Sequence, residues 1–480
     1  MGSSTRIRAS LKNAALIFVS FLLLPIDTAI ALCSYVLGYL SKPTATRPGV
    51  EKRNVLVTGV GMSKGLFLAR AFHLAGHNVI GADFEPGGAL SMGRASRAIS
   101  RFYHLRPPVE KGASTTYVQD LLRIILAEKI DLWVSCSGVA SAVEDGQAKE
   151  IIEARTPCKA IQFNIEMTQI LHEKHTFINY AKECGLTVPD THTITTRADV
   201  EHILRDAPPG RRYIMKTIGM LDSVRGDMTL LPKSTYEQTL KHLQHLPISE
   251  DCPWILQQYI RGAEFCTHSL VVNGKVKAFL ACPSAELLMH YEMLPPDSAL
   301  SLAMLDFTKK MAAKAGKGFT GHLSFDFMVE EEDLKSARPV LYPIECNPRA
   351  HTAVVLFTGT NRMVDAYMSL LDGQSSSDIV FPAQTGGYEY YWTGHDLVTK
   401  LVLPVIGMLS LRMGLSEAIS EIVSLAKHLL LWRDGTYELW DPMPWWWLYH
   451  IYWPLRFWHC LRTGVAWSRI NVSTTKMFEC

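Results

Sequence analysis

From Asn13 to Ser41 the chain is almost wholly apolar and carries a single charge, Asp27. A run of that kind is buried either in a bilayer or under the rest of the protein, and at the start of a chain the bilayer is the stronger reading. As one straight helix it would be about 44 Å long, against a hydrocarbon core of about 30 Å. Pro25 and Asp27 stand at its centre. Proline removes a helix hydrogen bond, and an acid at mid-membrane costs on the order of 3 kcal/mol. A helical hairpin that dips in and returns therefore competes with a simple span. Basic residues flank both ends, Arg6, Arg8 and Lys12 before and Lys42, Arg47, Lys52 and Arg53 after, which mildly favours a hairpin with both ends cytoplasmic. The run is about twice the length of a signal-peptide core and has no clean cleavage site. Residues 1–52 are thus read as a membrane anchor and linker, with lipid as a partner and the remainder in the cytoplasm.

At 480 residues the chain has room for two or three domains. Its 20% charged residues and net charge of +2 call for no nucleic-acid partner. The ten cysteines contain no C-x-x-C pair, and His172-Glu-Lys-His175 lacks the i, i+4 spacing of a zinc protease, so the thiols are read as reduced and no zinc site is expected.

Residues 53–160 alternate strand and helix. Asn54–Gly59 is a short apolar strand, a glycine turn (Gly59, Gly61, Gly65) leads into a helix, and Asn78–Asp83 is a second strand ending in an acid. The spacing G-x-G-x-x-x-G departs from the dinucleotide fingerprint, which leaves NAD(P) binding as a minor alternative. A helix over Tyr117–Glu128 and a strand over Asp131–Cys136 complete the pattern of a doubly wound parallel sheet.

The texture changes over residues 161–375, where α+β lobes are expected. A helix over Thr168–Cys184 contains Lys174, a strand over Arg212–Lys216 ends in Lys216, and a loop over Thr217–Met228 follows. Trp254–Ile260 and Phe265–Val272 read as strands joined by Arg261-Gly-Ala-Glu264, and Asn273-Gly274 marks a hairpin. Leu323–Val329 and Tyr342–Arg349 are strand-like. If they are antiparallel neighbours, alternation brings Asp326, Glu345 and Asn347 to one face with Arg349 just beyond. Two carboxylates and an amide oxygen suit Mg²⁺, which shares its remaining positions with phosphates; a polar strand end with surface ion pairs would look the same in sequence.

Lys174, Lys216, the Gln257–Ile260 strand with Gly262-x-Glu264, and then Asp326 and Glu345-x-Asn347-Pro-Arg349 occur in the order found in ATP-grasp ligases. Within that superfamily the chain resembles the mycosporine-glycine synthase type, on the apolar N-terminus with its Leu24-Pro25-Ile26-Asp27 centre, Phe265–Ser269, Ile344–His351, and a tail from Trp432 to Cys480. The resemblance implies ATP with Mg²⁺, or Mn²⁺ in its place. It implies that Lys174 and Lys216 contact phosphates, that Gln257, Gln258, Tyr259 and Ile260 line the adenine, and that Glu264 holds the ribose. Asp326, Glu345 and Asn347 would be the metal ligands. Arg349 would stabilise the transition state or hold an amino-acid carboxylate, and Lys216 would assist catalysis. The loop at 217–228, with Ser223 and Arg225, would close over the phosphates. Two departures stand out: the loop has only Gly219 and Gly226, and Gln257-Gln258 replaces an acid common in the hinge strand.

The reaction so implied joins an amino acid, glycine first, to the cyclohexenone 4-deoxygadusol through a phosphorylated intermediate, with substrate contacts expected from the glycine-turn domain and from Cys266, His268, Arg349 and His351. Two alternatives stay open: a carboxylate–amine ligase working through an acyl-phosphate, and a membrane-bound NAD(P) oxidoreductase. Residues 376–480 are rich in aromatics, with Trp445, Trp446, Trp447, Trp453 and Trp458 close together. They fit either a surface at the lipid headgroups or the core of a C-terminal subdomain.

Overall fold

The computed structural model describes residues 3–40, 51–108, 113–136, 138, 141–217, 228–284, 289–360, 362–373, 378–383 and 388–479. The chain opens with a single helix, α1 (Ser3–Leu40), which runs through Pro25 without a break. The hairpin alternative is therefore corrected to one continuous helix. The expected linker at Thr44–Val50 lies outside the described residues.

Next come β1 (Asn54–Thr58), α2 (Ser63–Leu74), β2 (Asn78–Asp83), β3 (Arg101–His104), α3 (Ala113–Glu128), β4 (Leu132–Val134), α4 (Ala142–Arg155) and β5 (Lys159–Ile161). The five strands form one parallel sheet in the order β3-β2-β1-β4-β5. Alternation divides each strand between two cores. In β1, Leu56 joins Ile80, Tyr117, Leu121, Trp133 and Ile152 on one side. Val55 and Val57 face the other side, with Leu66, Phe72, Val79 and Val134.

The second region begins with α5 (Ile165–His172) and α6 (Lys174–Glu183). The single helix expected over 168–184 is thus two, broken at Glu173, whose φ of −83° and ψ of 126° are extended. A three-stranded antiparallel sheet of β6 (Thr191–Ile194), β7 (Tyr213–Thr217) and β8 (Trp254–Gln258) has order β6-β8-β7. It is covered by α7 (Arg197–Asp206) and α8 (Tyr236–Gln244), around Ile194, Val200, Trp254 and Leu256. A larger antiparallel sheet holds β9 (Gly262–Val272), β10 (Lys275–Pro283), β11 (Gly321–Glu330) and β12 (Tyr342–Asn347), in the order β10-β9-β11-β12 with α9 (Ala299–Ala315) against it. One face of this sheet buries Phe265, Val271, Leu323, Phe325, Phe327, Val329 and Cys346. The opposite face buries Cys266, Leu270, Ala278, Leu280 and Cys282 in the core shared with the parallel-sheet domain and carries the polar His268, His322, Ser324 and Asp326 beside them.

After α10 (Arg362–Asp372), the C-terminal region comprises β13 (Tyr390–Tyr391), α11 (Thr393–Asp396), α12 (Leu403–Leu409), α13 (Leu415–Leu431), β14 (Arg433–Asp434), α14 (Met443–Trp447), α15 (Trp453–Thr463) and the hairpin β15 (Trp467–Asn471) and β16 (Lys476–Glu479). It is fastened to the parallel-sheet domain by Asp441. That fully buried carboxylate accepts hydrogen bonds from Arg70, from the Ser96 hydroxyl and from the Arg97 amide. Trp445, Trp453 and Phe457 are buried, and Trp446 donates to Thr28. These aromatics form a core that α1 lies across, while Trp458 stays exposed.

Candidate active site

The register of β11 and β12 sets Asp326 opposite Glu345 and Ser324 opposite Asn347. The register of β9 and β11 sets Asp326 opposite Cys266. Facing residues in antiparallel strands share a side, so Asp326, Glu345 and Asn347 gather on the face away from the phenylalanine core. Asn347 donates its amide to Asp326 at 3.1 Å. Lys174 pairs with Glu345 at 2.9 Å. Its place in the first turn of α6, after the break at Glu173, is what aims it there.

From the three-stranded sheet, Lys216 donates to the Gln257 side chain at 2.6 Å. Burial, with Lys174 beside it, brings Lys216 down to about 8, against the opposing pull of Glu345 and Glu264. Glu264, at the start of β9, accepts from Ser284 at 2.8 Å. Burial, together with Glu345 and Glu264, pushes Asp326 up to about 8, against Arg349 and Lys174. The two lysines and three acids drawn from different elements therefore sense one another around a single recess. The Gln258 and Tyr259 amides donate to the carbonyls of Asp190 and Arg212, so that part of the hinge is held by its own sheet, with Ile260 buried just after it. Residues 218–227 of the expected covering loop, including Ser223 and Arg225, lie outside the described residues.

Arg349 follows Asn347 in a tight turn, its amide donating to the Asn347 carbonyl at 2.7 Å. The guanidinium is buried, and its Nη1 has no hydrogen-bond partner. A buried, unsatisfied cation donor is costly unless an anion meets it. An all-oxygen donor set beside three cations fits a hard metal ion carrying phosphates, and the orphaned Arg349 nitrogen fits a bound anion.

Behind this recess lies a second polar layer that the sequence reading placed only in part. Lys64, from the glycine turn, donates to the Ala350 carbonyl at 2.9 Å, and burial with Arg349 nearby brings it down to about 7. His351 donates its amide to His268, whose Nε2 is buried and unpartnered. His322 bonds the Tyr367 hydroxyl at 2.8 Å. Burial, then Arg349, lowers His172 at the end of α5. The sequence reading named none of Lys64, His172 and His322 for the site: Lys64 comes from an element remote in sequence, whereas His172 and His322 stand beside Lys174 and Asp326 and carry no motif of their own. The one usable signal was Lys64 sitting inside a glycine turn.

That turn is occupied by its own chain. The Gly61 amide donates to the Asp83 carboxylate, and a Cβ at Gly61 would lie 2.7 Å from both Asp83 and Ser91. One at Gly65 would lie 2.2 Å from the Gly59 carbonyl. These glycines allow close internal packing, and the acid that would read a ribose is committed within the turn.

No protein-family model and no curated protein matches the chain. Several solved structures are similar to it. They include an L-amino acid ligase from Bacillus licheniformis (13% identity over 62% of this chain and 68% of that one, TM-score 0.43). An N5-carboxyaminoimidazole synthetase from Staphylococcus aureus complexed with ADP is another (14%, 68% and 79%, TM-score 0.47). A third is the biotin carboxylase subunit of pyruvate carboxylase (14%, 68% and 72%, TM-score 0.45). Likeness this remote fixes neither reaction nor substrate.

Proposed function

We propose that the chain is an ATP-dependent ligase of the ATP-grasp kind that forms a C–N bond. The observation that carries the reading is the convergence on one recess of the cross-strand pair Asp326 and Glu345 with Lys174, Lys216 and Arg349, whose Nη1 has no hydrogen-bond partner. In this reading Asp326, Glu345 and Asn347 hold magnesium, Lys174 and Lys216 hold phosphate oxygens, Gln257–Ile260 flank the base and Glu264 binds the ribose. When bound, Mg·ATP supplies the phosphoryl group that makes an oxygen of the acceptor a good leaving group. The chain's own work is positional and electrostatic. Arg349 offers a fixed positive charge where negative charge develops.

The acceptor proposed is 4-deoxygadusol and the amine donor glycine, supported by the resemblance of Ile344–His351 and Phe265–Ser269 to the mycosporine-glycine synthase type. Part-exposed His351, with Arg349 beside it, offers donors to a small polyoxygenated ring. Phosphate release from ATP with 4-deoxygadusol and glycine, run beside a panel of carboxylates with amines, tests this. Release confined to a carboxylate of the panel transfers the reading to an acyl-phosphate ligase, and release with none of them overturns both. The dinucleotide reading is disfavoured by the filled glycine turn.

We also propose that the enzyme works at a membrane surface with α1 lying along it. Asn13, Ser20, Asp27 and Ser34 recur every seventh residue in α1. They meet Trp467 at 2.8 Å, Tyr449 at 2.8 Å, His450 at 2.9 Å and Tyr437 at 2.6 Å respectively. The helix is thus docked on the body over about 30 Å, as long as the hydrocarbon core is thick. A perpendicular span would drag those polar partners into lipid, whereas an interfacial helix immerses only its outer face, where Phe18, Phe21, Leu22, Ile26, Leu32 and Val36 are all exposed. The turn between α12 and α13 adds exposed Leu409, Leu411 and Leu415 as a second contact.

A further inference from the structure

His290, Asp396 and His428 come from three segments far apart in sequence, and their ligand atoms lie within 4.8 Å of one another. Asp396 is fully buried at the end of α11. One of its oxygens is 2.8 Å from His290 Nε2 and the other 2.5 Å from His428 Nδ1. The helix continues from Asp396 as a π-turn over Leu397–Val402, a distortion that is rare and concentrated at functional sites. Trp432 flanks the group, its ring 4.4 Å from that of His428 and 5.6 Å from that of His290. Its buried Nε1 has no hydrogen-bond partner. Beside the cluster opens a cleft of about 410 Å³ lined by His290, His395, Lys400 and Glu421, among others.

We propose that His290, Asp396 and His428 bind a divalent transition-metal ion, zinc in the first instance, at a site separate from the candidate nucleotide site. Two imidazoles and one carboxylate are borderline donors that suit Zn²⁺ and its first-row neighbours better than Mg²⁺ or Ca²⁺, which favour oxygen alone. Three protein ligands leave a fourth position, open toward the cleft. A water held there would give the Trp432 indole the acceptor it lacks. The short contacts between the histidines and Asp396 are what the same three side chains adopt without an ion, each ring donating to the shared carboxylate. The ion would replace those protons and tie the segment before Tyr291, the end of α11 and α13 together. Because Tyr291 rests 5.8 Å from the His351 ring, the site would brace one wall of the second polar layer. The expectation from sequence that zinc was absent rested on local spacing, which ligands at 290, 396 and 428 do not display.

The test is metal analysis of the full chain purified without chelators or metal resins. About one zinc per chain is expected, or one iron or manganese ion at the same residues, with retention reduced at least tenfold in His290→Ala and His428→Ala. His290 is part-exposed, so its variant serves if His428→Ala fails to fold. Chelator-stripped wild type should recover a higher unfolding temperature with micromolar zinc, and cobalt should give visible absorption that the His290→Ala protein lacks. Wild-type protein that holds no first-row ion and whose unfolding ignores added zinc overturns the proposal. So does zinc retained equally by both variants.

Discussion

Replacing Glu345 by Gln is expected to lower ATP-dependent phosphate release about 100-fold or more, with the fold intact. The amide keeps the shape of the side chain but removes a charge that Lys174 and the proposed metal depend on. Lys174, paired with it at 2.9 Å, loses its partner. The proposed metal set falls to one carboxylate and two amide oxygens, too little charge to hold magnesium firmly against water. Asp326, whose carboxyl burial, Glu345 and Glu264 raise, should ionise more readily in the variant, so the loss reflects missing ligand charge and not a neutralised Asp326. Glu264→Gln is the matched comparison: in a ribose contact it should raise KM for ATP and spare kcat. Turnover by the Glu345→Gln protein within about threefold of wild type would remove Glu345 from the site.

The second large effect concerns location. Wild-type protein should co-sediment with vesicles of mixed neutral and anionic lipid. The quadruple variant Phe18→Ser, Phe21→Ser, Leu22→Ser, Ile26→Ser should stay in the supernatant with its phosphate-release activity unchanged. Each of the four side chains is well exposed and gains about 1.5 kcal/mol on leaving water. Their loss together should weaken partition by about 10³-fold or more. The inner stripe is untouched, so Asp27 keeps its bond to His450 and the helix stays docked. Wild-type protein that ignores vesicles, or that hides this stripe in a dimer, would contradict interfacial seating.

What could be read from the residues alone was whatever a local period encodes. Alternation in Leu323–Val329 announced which side of β11 holds Phe325 and Phe327, and so which side offers Asp326; the pairing with Glu345 followed once the strands were taken as neighbours. The heptad of Asn13, Ser20, Asp27 and Ser34 was equally legible, yet overall apolarity masked it, and Asp27 was weighed as an obstacle to a span instead of as part of a docking stripe. The break at Glu173 has no glycine or proline to mark it, so Lys174 looked like a mid-helix residue. Lys64, like the histidines around Asp396, is brought to its partners by tertiary packing, and no spacing rule reaches across such separations to find it.

The central claim, that this recess binds Mg·ATP, is tested most directly by titrating preformed Mg·ATP into the full chain calorimetrically. Buffers of different ionisation enthalpy at pH 7 and pH 9 reveal the proton balance. Without ligand, Asp326 near 8 is largely protonated at pH 7 and must release its proton to bind metal. Lys216 near 8 is largely neutral at pH 9 and must gain one to bind phosphate. Binding should therefore release close to one proton at pH 7 and take up close to one at pH 9, with the tightest affinity near pH 8. Absence of binding, binding undiminished in Glu345→Gln, or binding with no proton exchange at either pH would contradict the site.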